Sequence, residues 1–216
     1  MESNFFTVSS QQNSKITVQV IAGHFATDSS HRNHYIDISE LKSSSSAAKS
    51  AARQLAAPYL STNLVDVIVY MDGTEILAAY LADELLQAGV GVVNEGSEIY
   101  LVTPMLTSDG HFIFHENVQK KIEGKNVVLV VASMTAGATV NRVLDCLEYY
   151  GCKLTGISAV FSISPEIDGR EIHSLFTLED IPDYHFYKPS ECKMCKNGQK
   201  IDAFMNSEGY TKLEEN

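Results

Sequence analysis

The chain has 216 residues, 44% of them hydrophobic and 20% charged, which is enough for one good-sized domain with a core of its own. Its formal charge of −11, from 27 acidic and 16 basic side chains, argues against a general nucleic-acid binder, because such binding rests on neutralising phosphates with Lys and Arg. No apolar run reaches bilayer length and the N-terminus lacks the basic-then-apolar pattern of a signal peptide, so the expectation is a cytoplasmic chain without membrane contact.

Residues 1–14 are polar and expected to be disordered; one domain is expected over 15–187, followed by a polar C-terminal extension over 188–216. Residues 16–22 read as a strand. Residues 23–39 carry His24, His31, His34 and Arg32 among apolar residues and read as a hairpin region. The three histidines lack the i, i+4 helical pairing of a common zinc motif, so they are read as surface or partly packed side chains rather than ligands. A short Ser run at 43–46 overlaps the start of a helix carried by Ala47, Ala48, Ala51, Ala52, Leu55, Ala56 and Tyr59, with Pro58 limiting its length.

Residues 65–70 form a buried-type strand that ends in Met71, Asp72, Gly73 and Thr74; Ile76, Leu77, Tyr80, Leu81 and Leu85 then mark a helix. Two readings of that turn stay open, a ligand loop and a plain turn with Gly73 at positive φ and Thr74 as helix cap. Another strand is read over 98–103, and Ser108, Asp109 and Gly110 signal a hairpin. The strongest unit follows. An apolar run over 126–131 with four valines suits a strand buried on both faces. The small, polar residues Ser133, Met134, Thr135, Ala136, Gly137, Ala138 and Thr139 come next, and Val140, Val143, Leu144 and Leu147 recur at the spacing of one helix face before a stop at Gly151. A loop of this kind gathers backbone N–H groups at a helix start, where an anion is favoured; the other reading is an ordinary turn capped by Thr135 or Thr139.

With a further strand over 154–162, strands and helices alternate, which predicts a doubly wound α/β fold on a parallel sheet. Both loops then lie at strand carboxyl ends, where such sheets bind ligands. Four cysteines are expected reduced, with Cys146 and Cys152 as packing residues. Cys192 and Cys195 form a Cys-x-x-Cys followed by Gly198, similar to a zinc knuckle, but tetrahedral zinc needs four ligands and no second pair exists. His185 or His173 would have to contribute, so zinc at Cys192 and Cys195 is not the expectation.

The stretch around 131–139 resembles the signature of type I phosphoribosyltransferases, in which a strand ends in two acidic residues, followed by two apolar residues and Thr-Thr-Gly-Gly-Thr. Here Val131-Ala132 stand at the acidic pair, Ser133-Met134 follow, and Thr135-Ala136-Gly137-Ala138-Thr139 match the phosphate loop with two substitutions. The resemblance is strongest to orotate phosphoribosyltransferases, which carry a Ser-Gly turn, a basic residue and an aromatic residue near the base, matched here by Ser29-Ser30, Arg32 and Tyr35. It implies a parallel-sheet core with a small hood, a 5-phosphate on residues 133–139, pyrophosphate on Asp72, Gly73 and Thr74, a base near Arg32 and Tyr35, Mg²⁺ on the leaving pyrophosphate, and a homodimer. In the family the acidic pair holds the ribose hydroxyls, so Val131-Ala132 leave three functions open: transfer of phosphoribosyl to a base, non-catalytic sensing of a nucleotide or phosphate ester, or service as an inactive subunit. No catalytic lysine is identified.

Overall fold

A computed structural model describes residues 5–71, 73–87, 91–135, 137–206 and 209–213. The chain runs through β1 (Phe5–Ser9), β2 (Thr17–Ala26), β3 (His31–Asp37), α1 (Ser39–Ser43), α2 (Ser45–Ala56), β4 (Val67–Tyr70), α3 (Glu75–Leu86) and β5 (Tyr100–Val102). The hairpin β6 (Met105–Leu106) and β7 (Phe112–Ile113) leads to α4 (Glu116–Ile122), β8 (Asn126–Met134), α5 (Ala138–Tyr149) and β9 (Lys153–Ser162). The last part holds β10 (Glu166–Ile167), β11 (Arg170–Phe176), β12 (Phe186–Tyr187), α6 (Lys193–Lys196), β13 (Ala203–Met205) and β14 (Tyr210–Lys212).

The central sheet has the order β10-β11-β9-β8-β4-β5, and all its pairings except β10 with β11 are parallel. This is the doubly wound α/β core that the alternation of elements predicts. Its apolar runs are buried on both faces by alternation. Val67, Val69, Val127, Leu129 and Val131 pack against α4 and α5, while Ile68, Val128 and Val130 pack against α2 and α3. Val127 to Val131 are each at most 4% exposed, and side chains of this kind stabilise the fold by about 1.5–3 kcal/mol each on burial.

Along the chain, the parallel core strands occur as β4, β5, β8, β9 and β11, and in space as second, first, third, fourth, fifth. The topological switch therefore falls between β4 and β8, and a crevice opens there at the strand carboxyl ends. The in-register pair Tyr70↔Val130 sets the turn after β4 beside the last residues of β8.

A second, hood sheet has the order β12-β3-β2-β13-β14, with β1 also on β2. This corrects two expectations. Residues 5–9 are ordered: β1 pairs antiparallel with β2 from Phe5↔Ile21 to Ser9↔Thr17, because every second β1 backbone group finds a partner on that edge. The polar stretch from 188 onward is woven into the hood, since β13 lies parallel to β2 and carries β14. The end of one core strand also moves. β8 runs to Met134 because Ser133 and Met134 still pair with Phe161 and Ser162, so these two residues belong to the strand and not to the loop. β11, unread in the sequence, extends the core beyond β9.

Tyr59 locks α2's end to the sheet. Its hydroxyl meets Ser158 Oγ at 2.9 Å, and burial pushes its phenol up to about 12, so it stays neutral there. Gly156 leaves the room for that ring, since a Cβ would run into Tyr59 Cε1. Gly156→Val is expected to destabilise the protein by about 1–3 kcal/mol through overpacking. Tyr59→Phe should cost about 1–3 kcal/mol by leaving the buried Ser158 hydroxyl unpaired. Urea unfolding midpoints of both variants check this.

Candidate functional site

The switch-point crevice is a cavity of about 710 Å³ between core and hood. Its core side is residues 131–135 of β8 and its loop, the start of α5, and Met71 after β4; its hood side is the 26–30 turn, Arg32, Phe186, and residues of β13 and β14.

The loop leading into α5 leaves its helix start without a side-chain cap on the wall of the cavity. Gly137 is the N-cap with φ 72°, a left-handed conformation that costs other residues about 1–2 kcal/mol. No side chain caps this helix, so capping by Thr135 or Thr139 does not occur. The first-turn N–H groups of a helix have no acceptor within it, and here they open onto the cavity with the positive end of the dipole behind them. Ser133, Thr135, Gly137, Ala138 and Thr139 all line the cavity, with Ser133 and Thr139 exposed. Met134 also lines it, although its side chain is 3% exposed and packs in the core. Ala136 lies outside the described residues.

Arg32 comes to this loop from the hood. Its Nη2 donates to Thr135 Oγ1 at 3.4 Å and to Ser30 Oγ at 3.3 Å, and its guanidinium lies 5.6 Å from the centre of the Phe186 ring. Its Nε is buried and lacks a hydrogen-bond partner. Arg32 is the only Lys or Arg in the described cavity lining. A half-shielded guanidinium with an unused donor, facing a loop of unused N–H groups, suits one ligand type: a phosphate or carboxylate.

The other expected site residues fall differently. Tyr35 does not line the cavity; it is 7% exposed and packs its ring 4.8 Å from that of Tyr210 and 5.7 Å from that of Phe25. Thr74 is fully buried, and its hydroxyl donates to the Met71 carbonyl at 2.7 Å, so it shapes the turn after β4 from within. Gly73 has φ 78°, and its N–H donates to Glu75 Oε1 at 3.2 Å. Lys42 of α1 reaches over this turn, where a Cβ on Gly73 would collide with its ammonium. Asp72 lies outside the described residues. Sequence reasoning passed over Lys42 and Phe204; Phe204 is 52% exposed and lines the hood side of the cavity. Its signal was hidden in a tail read as polar.

Val131 and Ala132 line the cavity with apolar side chains. Asp28 is the only carboxylate in the described lining, and Mg²⁺ takes one or two carboxylates together with phosphate oxygens and water, so most of its ligands here would come with a phosphorylated ligand. A different metal-ligating group exists in the hood. His24, His31, Cys192 and Cys195 present ligand atoms within 4.8 Å of one another. The histidines read as surface or partly packed are buried, and the cysteine pair has two further donors beside it. The side chains that complete a candidate set of four are His24 and His31, brought together by the β2–β3 hairpin, rather than His185 or His173. Two histidines on either side of a hairpin turn were the available signal.

No protein-family model matches the sequence, and neither does any curated protein. Solved structures do match. Adenine phosphoribosyltransferase from Thermoanaerobacter pseudethanolicus is 19% identical with a TM-score of 0.51, over 67% of this chain and 88% of that one. Orotate phosphoribosyltransferase from Mycobacterium tuberculosis is 14% identical with a TM-score of 0.50, over 74% and 90%. UMP synthase from Leishmania donovani is 17% identical with a TM-score of 0.53, over 74% of this chain but only 34% of that larger one.

Gly137→Ala places a Cβ at positive φ and 3.2 Å from Ile167 Cδ1. It is expected to lower stability by about 1–2 kcal/mol and to weaken inorganic phosphate binding at the loop. Thermal melts with and without phosphate check both effects: the phosphate-induced shift should shrink along with the melting temperature.

Proposed function

We propose that this chain, which has the type I phosphoribosyltransferase fold, binds a ligand bearing ribose 5-phosphate in the switch-point cavity and transfers its phosphoribosyl group to a nitrogenous base. The observation that carries the reading is the pairing of the uncapped start of α5 with Arg32 across the cavity. The 5-phosphate takes the first-turn N–H groups of α5, the hydroxyls of Ser133, Thr135 and Thr139, and the guanidinium of Arg32. This moves Arg32 from the base, where the sequence pattern put it, to the phosphate. The base stacks on exposed Phe204.

Bond breaking at C1 of the sugar leaves positive charge on the ring, and the leaving pyrophosphate carries the negative charge. Lys42, whose ammonium lies over Gly73, supplies a cation at the turn proposed for that group. Glu75 leaves the Gly73 N–H as pyrophosphate arrives. Mg²⁺ bound with the pyrophosphate would supply further neutralisation of the leaving group. Orotate is the first acceptor to test and adenine the second. One observation favours a second reading, a binder without turnover: Val131 and Ala132 offer no side-chain acceptor to the ribose hydroxyls.

Calorimetric titration with phosphoribosyl pyrophosphate, with and without Mg²⁺, and with UMP and AMP, tests binding; pyrophosphate release with orotate or adenine tests transfer. Binding with turnover supports the first reading, and binding without turnover the second. Failure of every phosphate ester to bind overturns both. Arg32→Ala removes a charge-assisted contact of about 1.5–3 kcal/mol, so affinity for the monophosphates should fall about 10- to 100-fold.

A further inference from the structure

We infer that His24, His31, Cys192 and Cys195 hold a structural zinc ion that staples the C-terminal segment onto the hood. His24 Nε2 lies 3.0 Å from His31 Nδ1, 3.6 Å from Cys192 Sγ and 3.7 Å from Cys195 Sγ; Cys195 Sγ lies 3.3 Å from His31 Nδ1. A tetrahedron with Zn–N of about 2.0–2.1 Å and Zn–S of about 2.3 Å has N–N edges of about 3.3 Å and N–S edges of about 3.6 Å. Four donors of two soft and two borderline types, at those separations, match zinc.

The histidine chemistry agrees. His24 Nδ1 faces two backbone carbonyls, Gln199 O at 3.1 Å and Lys200 O at 3.0 Å. Carbonyls only accept, so Nδ1 carries the proton and Nε2 keeps a lone pair directed at the other three ligand atoms. That second bond is how metal-ligating histidines are oriented. The side chain is fully buried, as is Cys192. The cysteine pair sits on a tight turn: Lys196 N–H donates to Cys192 O at 3.1 Å and Gly198 N–H to Cys195 O at 3.0 Å, with Gly198 at φ 76°. Binding takes both thiols to thiolates, releases two protons, and leaves the ion neutral overall.

The site joins distant parts of the chain. His24 and His31 belong to the β2–β3 hairpin, whereas Cys192 caps the start of α6 and Cys195 lies within it, 164 residues after His31. His24 N–H donates to Asp202 Oδ2 at 2.6 Å, and Asp202 N–H returns a bond to His24 O at 2.8 Å. The next residues form β13, whose Phe204 and Met205 line the cavity. The ion thus fixes a wall of the binding cavity, although nothing in the site requires the ligand proposed for that cavity.

The test uses the untagged full chain, prepared without chelator. Elemental analysis should find about one zinc per chain. Cys195→Ser should bring zinc below about a tenth of that, while Cys152→Ser, outside the site, keeps it. Should Cys195→Ser not fold, cobalt(II) added to the chelated wild type gives an independent reading: the intense visible bands of a tetrahedral ion with a thiolate charge-transfer band support the site. Stripping zinc should lower the melting temperature by about 5 °C or more and loosen the backbone at the exposed Lys193, Lys196 and Lys200, so that trypsin cuts there faster. Zinc-free protein that takes up no zinc or cobalt(II) after incubation and washing overturns the site. A metal-loaded protein whose melting and tryptic pattern do not change on stripping overturns the staple.

Discussion

The in-register parallel pairing of β4 with β8 is the constraint on which the rest depends. It exists because both strands carry apolar side chains on successive residues, so each can be covered by helices on two faces. Pairing Val67 with Val127 and Tyr70 with Val130 brings the two strands to their carboxyl ends together. The chain reverses its order of strand addition at this same pair, so no helix fills the space beyond it. The cavity is a consequence of sheet order before any polar residue acts in it.

The polar chemistry then comes from two sides. The core contributes backbone: the start of α5, held open by a left-handed Gly137 with no side-chain cap. The hood contributes side chains, chiefly Arg32, whose position is set by β3 pairing with β2 at Phe25 and with β12 at Phe186. Neither half makes a strong anion site alone. A lone guanidinium at a surface is well hydrated, and a helix start is satisfied by water; together in a partly closed cavity each loses water and gains from a shared anion. The bond from Arg32 to Thr135 already joins the two halves without a ligand.

The hood in turn depends on its last strands. β13 reaches β2 only after the chain has passed the Cys192–Cys195 turn and the contacts of His24 with 199–202. Four residues that are unremarkable singly become a ligand set because a hairpin and a tight turn converge. The same convergence sets Phe204 beside the cavity, so hood cohesion and cavity shape have a common origin. Against this, the core side at Val131 and Ala132 is apolar, so the polar groups of the cavity are concentrated at the start of α5 and at Arg32.

Local sequence was sufficient where one element's own pattern carried the information. The apolar run with its four valines, the helix stripe of Val140, Val143 and Leu147, and the small residues around Gly137 together determined the α/β core and the strand-to-helix loop, because burial on two faces and backbone geometry act within a few residues. It was insufficient wherever a partner lay far along the chain. β1, β11 and β13 are short or polar, and became strands only because an edge was there to receive them. Arg32 turned to Thr135 in the loop before α5 and Tyr35 to a buried aromatic cluster by hood packing that no periodicity encodes. His24, His31, Cys192 and Cys195 have no common spacing at all; only tertiary structure brings them within 4.8 Å, since a metal site reads distance in space and the chain records distance along itself.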